Sequence, residues 1–309
     1  MDIRCLNSAS GDNWHAINGD CVDVLMQMPD NSIDFSVYSP PFGSLFVYSE
    51  SAADMGNSTD EEFSKHYSWM VQEKFRVTKP GRLTAVHCSD LPMTKWKDGA
   101  VGIKDFSGQI IQIHEDAGWV FHSRRTIWKS PVTEMTRTKH VGLVYGQLIK
   151  DSAKSRGGMP DYLMTFVKPG ENVEPIEHDM DEATALRLGR KRKPGHHIFS
   201  LEQWQEWASP VWMSIDQSNV LNVEMAREAG DERHLCPLQL DVIERALIMW
   251  SNPGNVVLSP FMGIGSEGVM SLRHGRKFIG TELKESYWRQ ACRYLDAEDR
   301  QGDLLRGAA

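Results

Sequence analysis

The stretch from Val256 to Glu282 constrains the fold more than any other part of this chain. Val256-Val257-Leu258 is a short apolar run of strand type, broken by the glycine loop Ser259-Pro260-Phe261-Met262-Gly263-Ile264-Gly265. Ser266 to Arg273 has helical spacing, and Lys277 to Thr281 is a second strand that ends at the acid Glu282. Strand, loop, helix and strand in this order form a βαβ unit, which requires a parallel sheet. Gly263, Gly265 and Gly268 fit G-x-G-x-x-G: they let the backbone approach a ligand, and the acid can accept hydrogen bonds from ribose hydroxyls. On these residues alone the loop suits a dinucleotide, S-adenosylmethionine (SAM), or a tight strand–helix turn with no ligand.

The rest of the chain keeps the same rhythm. Trp14 to Ile17 reads as a short strand, Cys21 to Met28 as a helix, and Ile33 to Tyr38 as a strand apolar on both faces. A helix over Asp60 to Val77, a turn at Thr78 to Gly81 and a strand over Arg82 to His87 follow. A helix at Gly108 to Ala117 precedes strands at Trp119 to Trp128 and Asp161 to Val167. Helices over Pro237 to Trp250 and Glu285 to Leu295 flank the glycine loop. The fold class is therefore α/β, a doubly wound sheet with helices on both faces. Residues 1–133 and 234–309 divide as two halves of one domain. Residues 134–233, with an acidic stretch and the basic run Arg187 to Lys193, hold insertions around one core strand at 161–169.

Composition narrows the class. With 309 residues, 40 % hydrophobic and 25 % charged, the chain is neither disordered nor fibrous. It has no apolar run of 18 residues and no apolar N-terminal stretch of signal-peptide type, so neither membrane nor export is expected. Its five cysteines form no C-x-x-C pair, which points to a reducing cytoplasm. A net charge of −8 argues against coating nucleic acid by bulk charge, but leaves room for a locally basic cleft.

Ser39-Pro40-Pro41-Phe42 lies just beyond the strand Ile33–Tyr38, because two prolines cannot continue a central strand. The tetrapeptide suits methyl transfer to the exocyclic amine of a base. The lone pair of such an amine is delocalised into the ring, so an enzyme gains by accepting both N–H hydrogens and freeing it. The Ser39 hydroxyl and the Pro40 carbonyl are suitable acceptors, successive prolines preorganise them, and Phe42 offers a face for a flipped-out base. A plain turn packing an aromatic ring would use the same residues.

Together these motifs resemble the amino-methylating DNA methyltransferases that act on cytosine N4 or adenine N6, in the β-class permutation with the catalytic motif ahead of the SAM motif. The likeness is carried by Gly19-Asp20, Ser39 to Phe42, Lys79-Pro80-Gly81, Cys236-Pro237-Leu238, Phe261-x-Gly263-x-Gly265 and Glu282, in the family's order. It extends to phage-type orphan modification methylases through Asp54-Met55-Gly56-Asn57 and Ser259-Pro260-Phe261. The resemblance implies a Rossmann-like SAM-dependent methyltransferase fold with a target-recognition insertion. It implies a catalytic loop at Ser39, Pro40, Pro41 and Phe42. It puts Ser259, Phe261, Gly263 and Gly265 at the methionine end of SAM and Glu282 at the ribose. Asp20 falls at the adenine edge, and Cys236, Pro237 and Leu238 line the cofactor pocket. Double-stranded DNA is the implied partner, in a bacterial or phage-infected cell, and members are often homodimers. Serine before Pro-Pro leans to N4-cytosine and leaves N6-adenine open. Cytosine C5 is disfavoured, since that chemistry commonly takes a thiolate from a Pro-Cys pair, which is absent.

Arg124, Arg125, Lys129, Arg137, Lys139 and Arg156 are candidate phosphate contacts near the catalytic face, with Arg190, Lys191, Arg192 and Lys193 in the basic run. His87-Cys88 with His114 or His122 matches no standard metal spacing, and no metal is expected. Trp204, Trp207 and Trp212 read as packing rather than as a stacking platform. Two further readings stand beside the methyltransferase. A dinucleotide-dependent oxidoreductase would use G-x-G-x-x-G and Glu282 but gives Ser39 to Phe42 no role. A DNA-binding module without catalysis is motivated by Ser259, where the family usually has Asp, and by Glu267, near a position usually held by a small hydroxyl residue.

Overall fold

Ile33–Tyr38 is buried at all six positions, which only a central strand covered on both faces allows. The computed structural model describes residues 5–41, 60–93, 98–138, 141–222 and 237–306. Its strands are β1 (Cys5–Ser10), β2 (Trp14–Gly19), β3 (Ile33–Tyr38), β4 (Thr78–Ser89), β5 (Leu91–Met93), β6 (Gly102–Lys104), β7 (Val120–Ile127), β8 (Asp161–Val167), β9 (Asp179–Met180), β10 (Ile198–Phe199), β11 (Val211–Trp212), β12 (Val256–Ser259) and β13 (Lys277–Glu282). Nine of them form one sheet in the order β1-β2-β13-β12-β3-β4-β8-β7-β11. The five strands from β2 to β4 in this order are parallel. β8 runs antiparallel to both β4 and β7.

The two faces carry separate cores. Phe35, Val37 and Val257 pack under the helices Leu240–Trp250, Ser266–Arg273 and Glu285–Arg306. Tyr38, Val86 and Leu258 pack under the helices Asp60–Val77 and Phe106–Asp116. Asp34 joins the amino ends of three strands: its carboxylate pairs with Lys79 at 2.5 Å on β4 and accepts the Val256 N–H of β12 at 2.9 Å. The doubly wound arrangement is as expected, with three differences. β1 is an added edge strand, antiparallel to β2. The expected turn at Thr78 to Gly81 is a register shift inside β4, since Ile33 pairs with Thr78 and Phe35 with Leu83. The central region contributes β8 to the middle of the sheet and β11 to its edge, so the sheet is mixed rather than wholly parallel. Among the described residues no helix is long and apolar enough to cross a membrane.

β12 continues to its neighbour β13 on one side, and β3 continues to its neighbour β4 on the other. The strand order therefore reverses between β12 and β3, and the crevice outside their carboxyl ends is where open α/β sheets bind ligands.

Beneath β3 lies an unusual polar group. Lys74 is fully buried with no carboxylate beside it among the described residues; its amine nitrogen meets the Tyr38 hydroxyl and lies 3.1 Å from His114 Nε2. Burial holds its pKa well below the ordinary 10.5. The unfolded chain therefore binds a proton that the folded protein excludes, so this group makes stability rise with pH up to the ordinary lysine value. Urea midpoints measured from pH 6 to 8.5 should show that upward slope in the wild type relative to Lys74→Met. A steeper rise in the wild type than in the variant is expected, and parallel curves over this range would show that the amine stays protonated in the core.

Candidate active site

The loops that leave β3 and β12 open side by side. Val257 pairs with Phe35 and Leu258 with Ser36, so Ser39 and Phe261 emerge from adjacent parallel strands at the same end. The rings of Tyr38 and Phe261 meet across the crevice, with centroids 5.9 Å apart. Pro40 is buried behind the loop, while Ser39 and Pro41 are partly exposed. Phe42 and residues 54–57 lie outside the described residues.

The glycine loop is held by its own acid. Glu282 accepts the Gly263 N–H at 2.9 Å on one carboxylate oxygen and the Lys284 N–H at 2.8 Å on the other. The Gly265 N–H closes a turn onto the Met262 carbonyl at 2.7 Å. Gly265 has φ +92°, a left-handed value that side chains resist, and a Cβ there would lie 3.1 Å from Ala291 Cβ. A Cβ on Gly268 would sit 2.5 Å from a Leu295 methyl, so this glycine lets two helices approach closely. Gly263 faces open space.

These residues fit SAM in two ways. The Ser259 and Ser266 hydroxyls beside the loop are buried without a hydrogen-bond partner among the described residues, which a buried polar group tolerates at a cost of about 1–3 kcal/mol. On the side where a Cβ would stand, Gly263 meets no described atom within 4 Å, so a ligand can approach its backbone there. Asp20 caps the helix Cys21–Leu25, accepting the Val22 and Asp23 N–H groups on one oxygen, and burial raises its pKa. Leu238 is buried and Pro237 partly so, just ahead of the helix Leu240–Trp250. Cys236 is outside the described residues.

Glu267 is buried in the first turn after the loop, and desolvation, reinforced by the nearby Glu282 charge, pushes its pKa up to about 8. It is therefore a neutral acid at pH 7.

The basic candidates separate into three groups. Arg124 is exposed, with its guanidinium over the Tyr162 ring at 5.2 Å, and Arg190, Lys191 and Lys193 are also exposed. Four are already engaged. Arg125 lies over the Trp250 ring at 5.0 Å, Lys129 pairs with buried Asp161 at 2.6 Å, Arg156 pairs with buried Glu134 at 3.0 Å, and Arg192 pairs with Asp179 at 2.7 Å. Lys139 and the Arg137 side chain are outside the description. The segment bearing the basic run is anchored at the far end of the sheet, where Glu174 pairs with Arg82 at 2.8 Å and accepts from Asn252 at 3.4 Å. Trp207 and Trp212 are packed inside, whereas Trp204 is exposed. His87, His114 and His122 face Asp161, Lys74 and Thr165, three separate surroundings.

Spacing alone missed one cluster. Ser39 Oγ donates to the His87 carbonyl at 3.0 Å and lies 3.4 Å from His87 Nδ1. His87 Nε2 lies 3.2 Å from Asp161 Oδ2, close but off the line of a straight hydrogen bond. Residues 39, 87 and 161 meet because β3, β4 and β8 are neighbours, which no local pattern announces.

A family model described as DNA methylase matches residues 33–293. The type II methyltransferase M.BamHI of Bacillus amyloliquefaciens is 26 % identical over 267 residues, covering 86 % of this chain and 53 % of its own. The chain thus spans about half the length of that relative. Among solved structures, TTHA0409 of Thermus thermophilus, a DNA modification methylase by name, in complex with SAM, aligns with TM-score 0.61 at 20 % identity, covering 91 % of this chain and 94 % of its own. The cytosine-N4-specific PvuII DNA methyltransferase aligns with TM-score 0.58 at 17 % identity, covering 95 % and 94 %. These two likenesses establish the fold.

Glu267 binds a proton in the folded state that the unfolded chain has released, so its contribution to stability is lost as pH rises from about 4.5 towards 8. Glu267→Gln should remove that fall in urea midpoints over this range. An unchanged slope would show that the carboxyl titrates normally. Gly265→Ala should lower stability by about 1–2 kcal/mol through its left-handed backbone, read from the same titrations.

Proposed function

The chain belongs to the N6/N4 DNA methylase family, and we propose that it moves a methyl group from SAM to an exocyclic amine of a base flipped out of duplex DNA. The observation that carries the reading is the shared crevice: the Ser39 loop and the Phe261–Gly265 loop leave adjacent parallel strands at one end. The oxidoreductase alternative has no use for that adjacency, and the family match speaks against it.

Bound SAM would supply a methyl group made electrophilic by its sulfonium. Phe261, Gly263, Gly265 and the unpartnered Ser259 hydroxyl would hold its methionine end. Glu282 would take the ribose and Asp20 the adenine edge, and Cys236, Pro237 and Leu238 would line the cofactor pocket. On the base side, the Ser39 proton is directed at the His87 carbonyl, which leaves the oxygen's lone pairs turned to acceptance. The Ser39 oxygen and the Pro40 carbonyl then accept the two amine hydrogens and draw the nitrogen lone pair out of the ring. The proline pair fixes both acceptors before the base arrives, so little reorganisation is required at the moment of transfer. Phe42 is assigned the face of the base. Exposed Arg124 is assigned a phosphate contact, and the insertions of the central region, outside the core strand at 161–169, are assigned to recognition of the DNA sequence. Serine ahead of the proline pair, the residue typical of cytosine-N4 enzymes in the family this chain resembles, leans the target to cytosine N4 and leaves adenine N6 open.

Incubation with duplex DNA and methyl-labelled SAM, followed by nucleoside mass spectrometry, should yield N4-methylcytosine. N6-methyladenine would correct the base alone, and unmodified DNA from protein that binds SAM would overturn the reading. Ser39→Ala should lower kcat by roughly 100-fold, with SAM affinity within about twofold of wild type.

A further inference from the structure

We propose that His87 and Asp161 are positioning residues that act through Ser39, orienting its hydroxyl and carrying away the proton released by the methylated amine. This inference rests on the proposed transfer to an exocyclic amine.

The reaction leaves a proton to be placed. When the amine nitrogen forms its bond to the methyl carbon, it becomes a cationic N–H2–CH3 group, and one N–H bond must break to give the neutral product. The atom nearest to that hydrogen in the proposed pose is Ser39 Oγ. A serine oxygen can take it only by giving up its own proton. His87 Nδ1, 3.4 Å from Ser39 Oγ, is in reach to receive it. Proximities of this length commonly tighten when substrate fills a site.

For Nδ1 to accept, the ring must carry its hydrogen on Nε2. Asp161 supplies the reason, with its Oδ2 3.2 Å from Nε2, and a small rotation of the ring brings the N–H onto that oxygen. Lys129 holds the other oxygen, Oδ1, at 2.6 Å. Asp161 is almost wholly buried, which by itself would favour the protonated acid. The His87 and Lys129 contacts outweigh that, and its pKa is lowered to about 2. A buried acid kept ionised is suited to stabilise an imidazolium while the proton passes through.

The proton ledger closes. The amine loses one hydrogen to Ser39 Oγ, Ser39 gives one to His87 Nδ1, and the imidazolium later releases one to water. Ser39 ends as it began. In the resting state the serine proton points instead to the His87 carbonyl at 3.0 Å, so a turn about its C–O bond switches between the two acceptors. Both acceptors belong to one residue, which makes His87 the element that sets the serine's hydrogen-bonding direction.

The test has two readouts. First, 15N NMR of histidine-labelled, unliganded protein at pH 8, with His87 assigned by comparison with His87→Gln, should show a neutral ring protonated at Nε2. A ring protonated at Nδ1, or at both nitrogens, overturns the proposal. Second, His87→Gln and Asp161→Asn should lower kcat for methyl transfer at least 100-fold, with SAM and DNA dissociation constants within about threefold of wild type. Unchanged affinities show that the site is folded. His87→Gln is the arm that decides if Asp161→Asn disturbs folding. Wild-type protein that transfers no methyl group brings down the transfer reading and this inference with it. An active wild type with an equally active His87→Gln brings down this inference alone.

Discussion

Burial of β3 on both faces is the constraint from which the rest follows. A strand covered above and below leaves no face open to solvent, its polar Asp34 and Ser36 included, so its contact with a ligand is confined to its ends. Asp34 closes the amino end with partners from two neighbouring strands. At the carboxyl end the prolines stop the ladder, and Ser39 is the first residue outside the core whose side chain meets the crevice. Because β12 lies beside β3 in parallel register, a second set of loop atoms emerges at the same level, and two apolar cores hold the pair in place.

The molecule treats its buried charges unequally. Asp34 and Asp161 are inside but paired, each with a cation from an adjoining segment, and they tie strands together. Glu267 and Lys74 are inside without an opposite charge among the described residues, and the low dielectric resolves each by favouring its neutral form. Through those shifted ionisations each makes stability depend on pH. Lys74 lies directly under Tyr38, one residue ahead of Ser39, so its state is felt at the base of the catalytic loop.

The parts of this architecture that depend on local pattern were legible in the sequence. The alternation around Ile33 to Tyr38, the prolines at 40 and 41, and the glycines between Phe261 and Gly268 fix strand ends and loop positions without knowledge of the fold. Helix limits were within a few residues, except where Glu285–Arg306 continues past its apolar stripe. What sequence reasoning could not supply was set by strand neighbours. β8 carries no mark that it runs antiparallel between β4 and β7, so the meeting of Asp161 with His87 was hidden. Cationic residues were equally opaque. Arg125, Lys129 and Arg156 look like phosphate ligands in one dimension, but each is turned onto an aromatic ring or a buried acid. A charge in a sequence does not say which way it faces.

The pairing of β12 with β3 joins stretches more than 200 residues apart. A chain emerging from a ribosome therefore exposes β3, buried at all six positions in the finished fold, long before its neighbour on that edge exists. Until the last segments are made, that edge is an open template for pairing with other chains. The order in which its segments are made, as well as the finished fold, thus bears on how safely this sheet closes.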